Sequence, residues 1–287
     1  MEKLLKYCLN CMLLMLLFSC SNSKDTYSHL SQAERQKLSI EVFNDGSHLP
    51  QGSVKSMTRI EKAIAIDPTH CDAVRELSVA YLKRGMPDKW KPQMDKAVAC
   101  NPELWVGYRG YNYLWFYRDY KKAIADFDAT DSLTPDFTEA PQGHSVNFWR
   151  GIAYLGLNNY EKSLSYFDKH IDKETKESGE DWVEQEAFLY KAIAHYENNQ
   201  PEQALESLDK VLHYSKNLTA DGKYYKGLIL FEKGRCEEAM QFVDNAILDF
   251  NNGYFNSRPY VETLRQIYVE DLTQLKTKLG KCLNAPI

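Results

Sequence analysis

The sequence predicts an all-α fold: an α-solenoid of tandem helix-turn-helix pairs, closed by a C-terminal capping helix. Three observations lead there. Lys62-Ala63-Ile64-Ala65-Ile66-Asp67-Pro68 returns 34 residues later as Lys96-Ala97-Val98-Ala99-Cys100-Asn101-Pro102, and Pro135 follows after 33 more. Only 10 Pro and 14 Gly occur in 287 residues, too few for a turn-rich β sandwich. Near the C-terminus Val261, Leu264, Leu272, Leu275 and Leu279 recur at helical spacing, with Tyr268 between them. The remaining composition is globular, with 44% hydrophobic and 26% charged residues. The net charge of -5 argues against a nucleic-acid partner.

The first element is a targeting segment. Lys3 and Lys6 precede an apolar run from Cys11 to Phe18 that is too short to span a bilayer, which takes about 20 apolar residues. A charged start, a short apolar core and a small residue before the cut read as a signal peptide. Its end, Leu17-Phe18-Ser19-Cys20, resembles the lipobox of bacterial lipoproteins. That resemblance implies acylation of Cys20 after removal of residues 1–19, and palmitate-type chains as the anchor. Ser21, in place of an inner-membrane Asp signal, points to the outer membrane. Residues 20–36 would then be a tether, residues 37–251 the solenoid, and residues 252–287 the capping helix and tail.

Five units follow the 34-residue period. The first, Cys71 to Leu104, carries Val74, Leu77, Ser78, Tyr81, Gly85, Met94, Ala97 and Pro102. The second supplies Tyr120, Ala123, Phe127 and Pro135, and the third Gly151, Tyr154, Asn158, Tyr160, Ser163 and Phe167. The fourth has Phe188, Ala192, Asn199, Ala204, Leu208 and Val211; the fifth has Gly227, Leu230, Gly234, Ala239, Val243 and Ala246. This order of large, small, aromatic and Pro positions resembles the tetratricopeptide repeat over about residues 56–251. Ser56 to Pro68 looks like the second helix of a further unit, with a poorly matched first helix near Lys37 to Asn44. Small residues such as Gly151 and Ser163 fall where paired helices must touch, and stacked pairs bury a core that no single pair could. Asp136 to Gly143 and Lys173 to Asp181 read as loops between units. Ser257-Arg258-Pro259 reads as the start of the capping helix, with Ser as cap and Pro in the first turn.

The chain shows no HExxH, GxSxG or P-loop pattern, and its seven His are scattered. His195 falls at a core position, and Glu180, Asp181 and Glu184 read as a solvated loop or helix start. No Cys/His spacing fits a metal site, and no cofactor is implied. Cys71 and Cys100 sit at the two ends of one helix pair; a disulfide is geometrically open to them, and two buried thiols are the favoured alternative. The chain therefore reads as a non-enzyme.

The resemblance implies where a partner would bind. In tetratricopeptide proteins the first helix of each pair lines the groove, which maps to Trp105, Tyr108, Asn112, Trp115 and Phe116 in unit two. Phe148, Tyr196, Tyr224 and Phe231 follow in later units. Aromatic anchors of this kind make binding hot spots. Chaperone-binding members clamp a carboxylate with basic residues and Asn, and only Asn112 fits that pattern, so that role is rejected. The expectation is a lipid-anchored envelope scaffold for a protein or peptide. Its alternatives are a BamD-like outer-membrane assembly component, a SusD-like glycan-uptake lipoprotein, and an envelope hydrolase on a helical scaffold.

Overall fold

The protein was described from a computed structural model covering residues 26–284. The signal segment and Cys20 lie outside the described residues. Thirteen α-helices follow one another with no strand among the described residues: α1 (Gln32–Ser47), α2 (Val54–Ile66), α3 (Cys71–Lys83), α4 (Pro87–Cys100), α5 (Pro102–Phe116), α6 (Tyr120–Leu133), α7 (Val146–Gly156), α8 (Tyr160–Ser178), α9 (Gln185–Glu197), α10 (Pro201–Tyr214), α11 (Ala220–Glu232), α12 (Cys236–Asn251) and α13 (Val269–Leu283). They fall into two compact units, dividing after Ala80. No described helix is long and apolar enough to cross a membrane.

In the first unit α1 packs on α2. A capping box of Ser31 and Glu34 starts α1, satisfying two end groups at once. Gly46 lets the helices close up, since a Cβ there would lie 2.7 Å from Arg59 Cβ. Ser39 Oγ donates to Ala63 O at 2.8 Å. The poorly matched first helix is therefore a full helix, and it begins at Gln32, inside the expected tether.

In the second unit α5 pairs with α6, α7 with α8, α9 with α10, and α11 with α12. The small-residue rule holds where it was read. Gly151 approaches Phe167 so closely that a Cβ would meet its ring at 2.7 Å, and Ser163 Oγ donates to Gly151 O at 2.8 Å. Each helix-turn-helix bends through one left-handed residue: Gly85, Arg118, Asn158, Asn199 and Gly234. Gly and Asn suit that conformation, whereas Arg118 departs from the pattern and costs about 1–2 kcal/mol of backbone strain. Trp90, which replaces a small residue in α4, is buried edge-on against Tyr113.

Two expectations are corrected. Lys173 to Asp181 is mostly not a loop: α8 continues to Ser178, and only Gly179 and the short turn Glu180–Trp182 break it. The last helix does not begin at Ser257 either. Residues 252–268 are irregular apart from the Arg258–Val261 bridge, and α13 starts at Val269. Tyr260 and Arg265 take left-handed φ values of 71° and 56°, which a helix there would forbid. From Val269 onward the helix does cap the stack. Leu275 and Leu279 join Leu230, Ala239 and Val243 in one buried cluster, and a Cys236–Cys282 disulfide ties α13 to α12. Cys71 and Cys100 are each in a disulfide, so the favoured alternative of free thiols is overturned.

Candidate binding face

The first helices α5, α7, α9 and α11 share one face of the second unit. An aromatic ladder runs along it. Trp105 meets Tyr108 at 6.1 Å, Tyr108 stacks on Tyr111 at 6.4 Å, and Tyr111 meets Trp149 edge-on at 5.3 Å. Trp149 then crosses Trp115 at 6.1 Å. Trp149 is fixed by its Nε1 donating to Pro141 O at 2.8 Å. At the open end of the ladder a cavity of about 230 Å³ lies between α5 and the Pro141–Gly143 turn, lined by Trp105, Tyr108 and Pro141. Leu104 and Phe137 are more than half exposed in this part of the chain.

The nine predicted groove residues divide by burial. Trp105, Tyr108 and Phe116 are half-buried. Tyr196 is half-buried too, but its hydroxyl is committed to Glu232 at 2.6 Å. Asn112 and Phe148 are core instead. Asn112 is fully buried facing Met94 Sδ at 3.8 Å, and Phe148 packs among His144, Trp149, Phe167 and Tyr190. Helix register put them on the inner face, but Met94 of α4 meets Asn112, and Phe167 and His170 of α8 with Tyr190 of α9 enclose Phe148. Tyr224 and Phe231 pack against the cluster beneath α13. Trp115 is 1% exposed, enclosed by Trp149, Arg118 and Arg258 of the segment 252–268.

That covering segment was not legible as a site component. It leaves α12, pairs Tyr254 O with Ala220 N at 2.7 Å, and gives its Asn256 N–H to Asp221 Oδ2 at 2.7 Å. Arg258 then lies over both the Trp115 and Trp149 rings, 4.6 and 5.0 Å from their centroids, and pairs with Glu186 at 3.1 Å. Tyr260 marks the far turn, beneath Lys83. On the way back Glu262 O accepts from Arg118, and Arg265 forms a two-point pair with Glu197 and reaches Asn158 Oδ1. The segment thus crosses all four first helices out and back. Burial pushes the Asp221 carboxyl up to about 6, opposed by the hydrogen bond from Asn256.

A second polar cluster joins α7, α8 and α9. Glu184 was read as solvated, yet His144 Nδ1 and His170 Nε2 each donate to it at 2.7 Å. Burial works against its charge, but these two donors hold its carboxyl well below the usual range. Ser145 Oγ lies 2.9 Å from His170 Nδ1, so the serine, histidine and glutamate form a relay. The serine is already the N-cap of α7, accepting from Phe148 N at 3.3 Å, and both Ser145 and His170 are buried. This cluster clamps three helices, and Arg150 ties α7 to α6 by reaching Asp128, Asp131 and Phe127 O from the interior.

The comparisons agree with this architecture. The sequence profile of the tetratricopeptide repeat matches residues 189–253. A TPR repeat-containing protein of Methanocaldococcus jannaschii is 31% identical over 111 residues, 38% of this chain but only 32% of that protein. PilW, a widely conserved type IV pilus biogenesis factor, superposes with a TM-score of 0.59 at 16% identity, covering 86% of this chain and 99% of its own. Pseudomonas aeruginosa pilF gives 0.53 at 15% identity over 77% and 95% of the two chains. A tetratricopeptide repeat protein from Parabacteroides merdae gives 0.51 at 15% identity over 86% and 84%. At these identities the solved structures share the fold alone. The chain therefore folds as an α-solenoid of tetratricopeptide-type helix pairs, and residues 189–253 match that repeat's sequence profile.

Proposed function

We propose that the protein is a lipid-anchored scaffold of the bacterial cell envelope that holds a protein or peptide on its first-helix face. The observation that carries this reading is the open aromatic end of the ladder. Trp105 and Tyr108 stand half-buried and line a cavity there, the type of rigid aromatic anchor that dominates binding energy. The helix-pair fold supports it, because stacked repeats build extended recognition surfaces. The buried Ser145–His170–Glu184 relay favours holding over catalysis, since its hydroxyl is occupied as a helix cap.

The envelope placement rests on Leu17 to Cys20 and on the disulfides, which fit an oxidising compartment. One acyl chain anchors only marginally, so the several chains of a bacterial lipoprotein suit a stable anchor. Cys20→Ala tests it by fractionation. The account expects the variant to leave the membrane fraction or to accumulate as an uncleaved precursor. Normal processing with unchanged membrane association would refute the anchor. Chemical cross-linking of the wild-type protein in intact envelopes tests the holding role, which predicts a defined protein adduct; its absence counts against the scaffold.

A further inference from the structure

The segment 252–268 behaves like a bound peptide rather than like a connector. It has almost no secondary structure of its own and takes its contacts from four different helices, one side chain at a time. The centre of the arrangement is Arg258. Its guanidinium lies over two indole rings set at 87° to one another, with Glu186 as counter-charge, which is a site shaped for an arginine head. The face it crosses is acidic at three points, Glu186, Glu197 and Asp221, and the segment answers with Arg258, Arg265 and a backbone N–H.

The fit is incomplete. Trp115 Nε1, Arg258 Nε, Arg118 Nη1 and Asn256 Oδ1 are all buried along this seam without a hydrogen-bond partner among the described residues. Two of these atoms, Trp115 Nε1 and Arg118 Nη1, lie outside the segment and two within it, so a ligand that satisfied the first pair and left none of its own unpaired would hold the face better than the segment does. Lifting the segment would uncover Leu264 and Ile267, which it buries, and would leave its ends in place. The segment is continuous with α12 on one side, and on the other the Cys236–Cys282 disulfide keeps α13 in place. Being tethered, it competes at an effective concentration on the order of millimolar, so it can be a weak ligand and still cover the face.

We propose that the first-helix face of α5, α7, α9 and α11 is a peptide groove that recognises an arginine at the start of a tight turn, and that residues 252–268 are its built-in occupant, exchanged for the arginine-bearing segment of a protein partner. This rests on the scaffold reading above and names the ligand chemistry of that face. Exchange moves the Arg258 head out from between the indoles and puts the partner's guanidinium there, opposite Glu186.

The test uses a fluorescent peptide with the sequence of residues 253–268 and its analogue with alanine at both arginines, titrated by anisotropy. Three forms of the full chain are compared, all with the disulfides oxidised. They are the wild type, the Arg258→Ala/Arg265→Ala double variant, and a chain carrying a protease site after Tyr260, cleaved so that α13 stays attached through Cys282. The cleaved chain guards against a double variant that fails to fold. Both opened forms should bind the arginine peptide at least about 10-fold more tightly than the wild type, and at least about 10-fold more tightly than the alanine peptide. Failure of either opened, folded form to bind, or equal binding of the two peptides, overturns the proposal. Cross-linking each form in envelopes separates the two readings. A partner captured equally by all three leaves the scaffold standing and removes the arginine groove, whereas capture that increases on opening supports both.

Discussion

Phe127 and Trp105 stand less than one repeat apart and do different work. Phe127 is fully buried, and its ring presses on Gly110, where a Cβ would come within 2.8 Å. Phe127→Ala should cost about 3–5 kcal/mol, because the close fit leaves little to collapse into the void. Thermal unfolding checks this, and a loss under about 1 kcal/mol would mean that the α5–α6 junction repacks. Asp221 makes a prediction of a different sign. Its carboxyl is raised to about 6 in the folded chain, above its unfolded value, so the native state holds a proton that the unfolded state has released. From this group stability falls as pH rises through about 4 to 6 and stays lower above. Asp221→Asn should therefore flatten the unfolding midpoint against pH over that window; an unchanged profile would show that the carboxyl is not the cause. Glu184 works the other way. Its depressed value gives stability that is present above about pH 4.3 and lost only as pH falls further.

The repeat helices were legible from their 34-residue period, and five of them carry a local cap as well. Asn101, Asp119, Ser145, Asn159 and Thr219 all accept from the N–H three residues on, starting α5, α6, α7, α8 and α11. The stretch 252–268 was not legible, because Ser257-Arg258-Pro259 is good helix-start chemistry that tertiary pairing overrides. Arg258 and Arg265 gain two indoles and two carboxylates by staying out of a helix, more than a local cap offers. The Cys236–Cys282 pair was hidden for a related reason: 46 residues separate them, and only the antiparallel packing of α12 and α13 brings them together. That disulfide closes a long loop, so Cys236→Ser with Cys282→Ser should lower stability by about 2–4 kcal/mol. Equilibrium denaturation of the double variant measures it. No loss would mean that Leu275 and Leu279 alone hold the cap.

At the scale of the whole molecule the period of 34 residues carried the fold, since each pair contacts mainly its neighbours and the pattern needs no long-range information. The binding face was only half legible for the same reason. Register identifies which residues point inward, but not which inward residues a neighbouring helix or a distant segment will cover. Asn112, Trp115 and Phe148 were lost to that cover, while Trp105 and Tyr108 remain at the open end of the ladder. Those two carry the central claim that the chain works by holding a partner. The measurement that tests it most directly sets Trp105→Ala/Tyr108→Ala beside the wild type, comparing affinity for the cross-linked envelope partner and the unfolding midpoint. The account predicts a loss of more than about 30-fold in affinity, or about 2 kcal/mol, with the midpoint nearly unchanged. A variant that unfolds as readily as Phe127→Ala, or that stays folded and binds the partner as tightly as before, would contradict it.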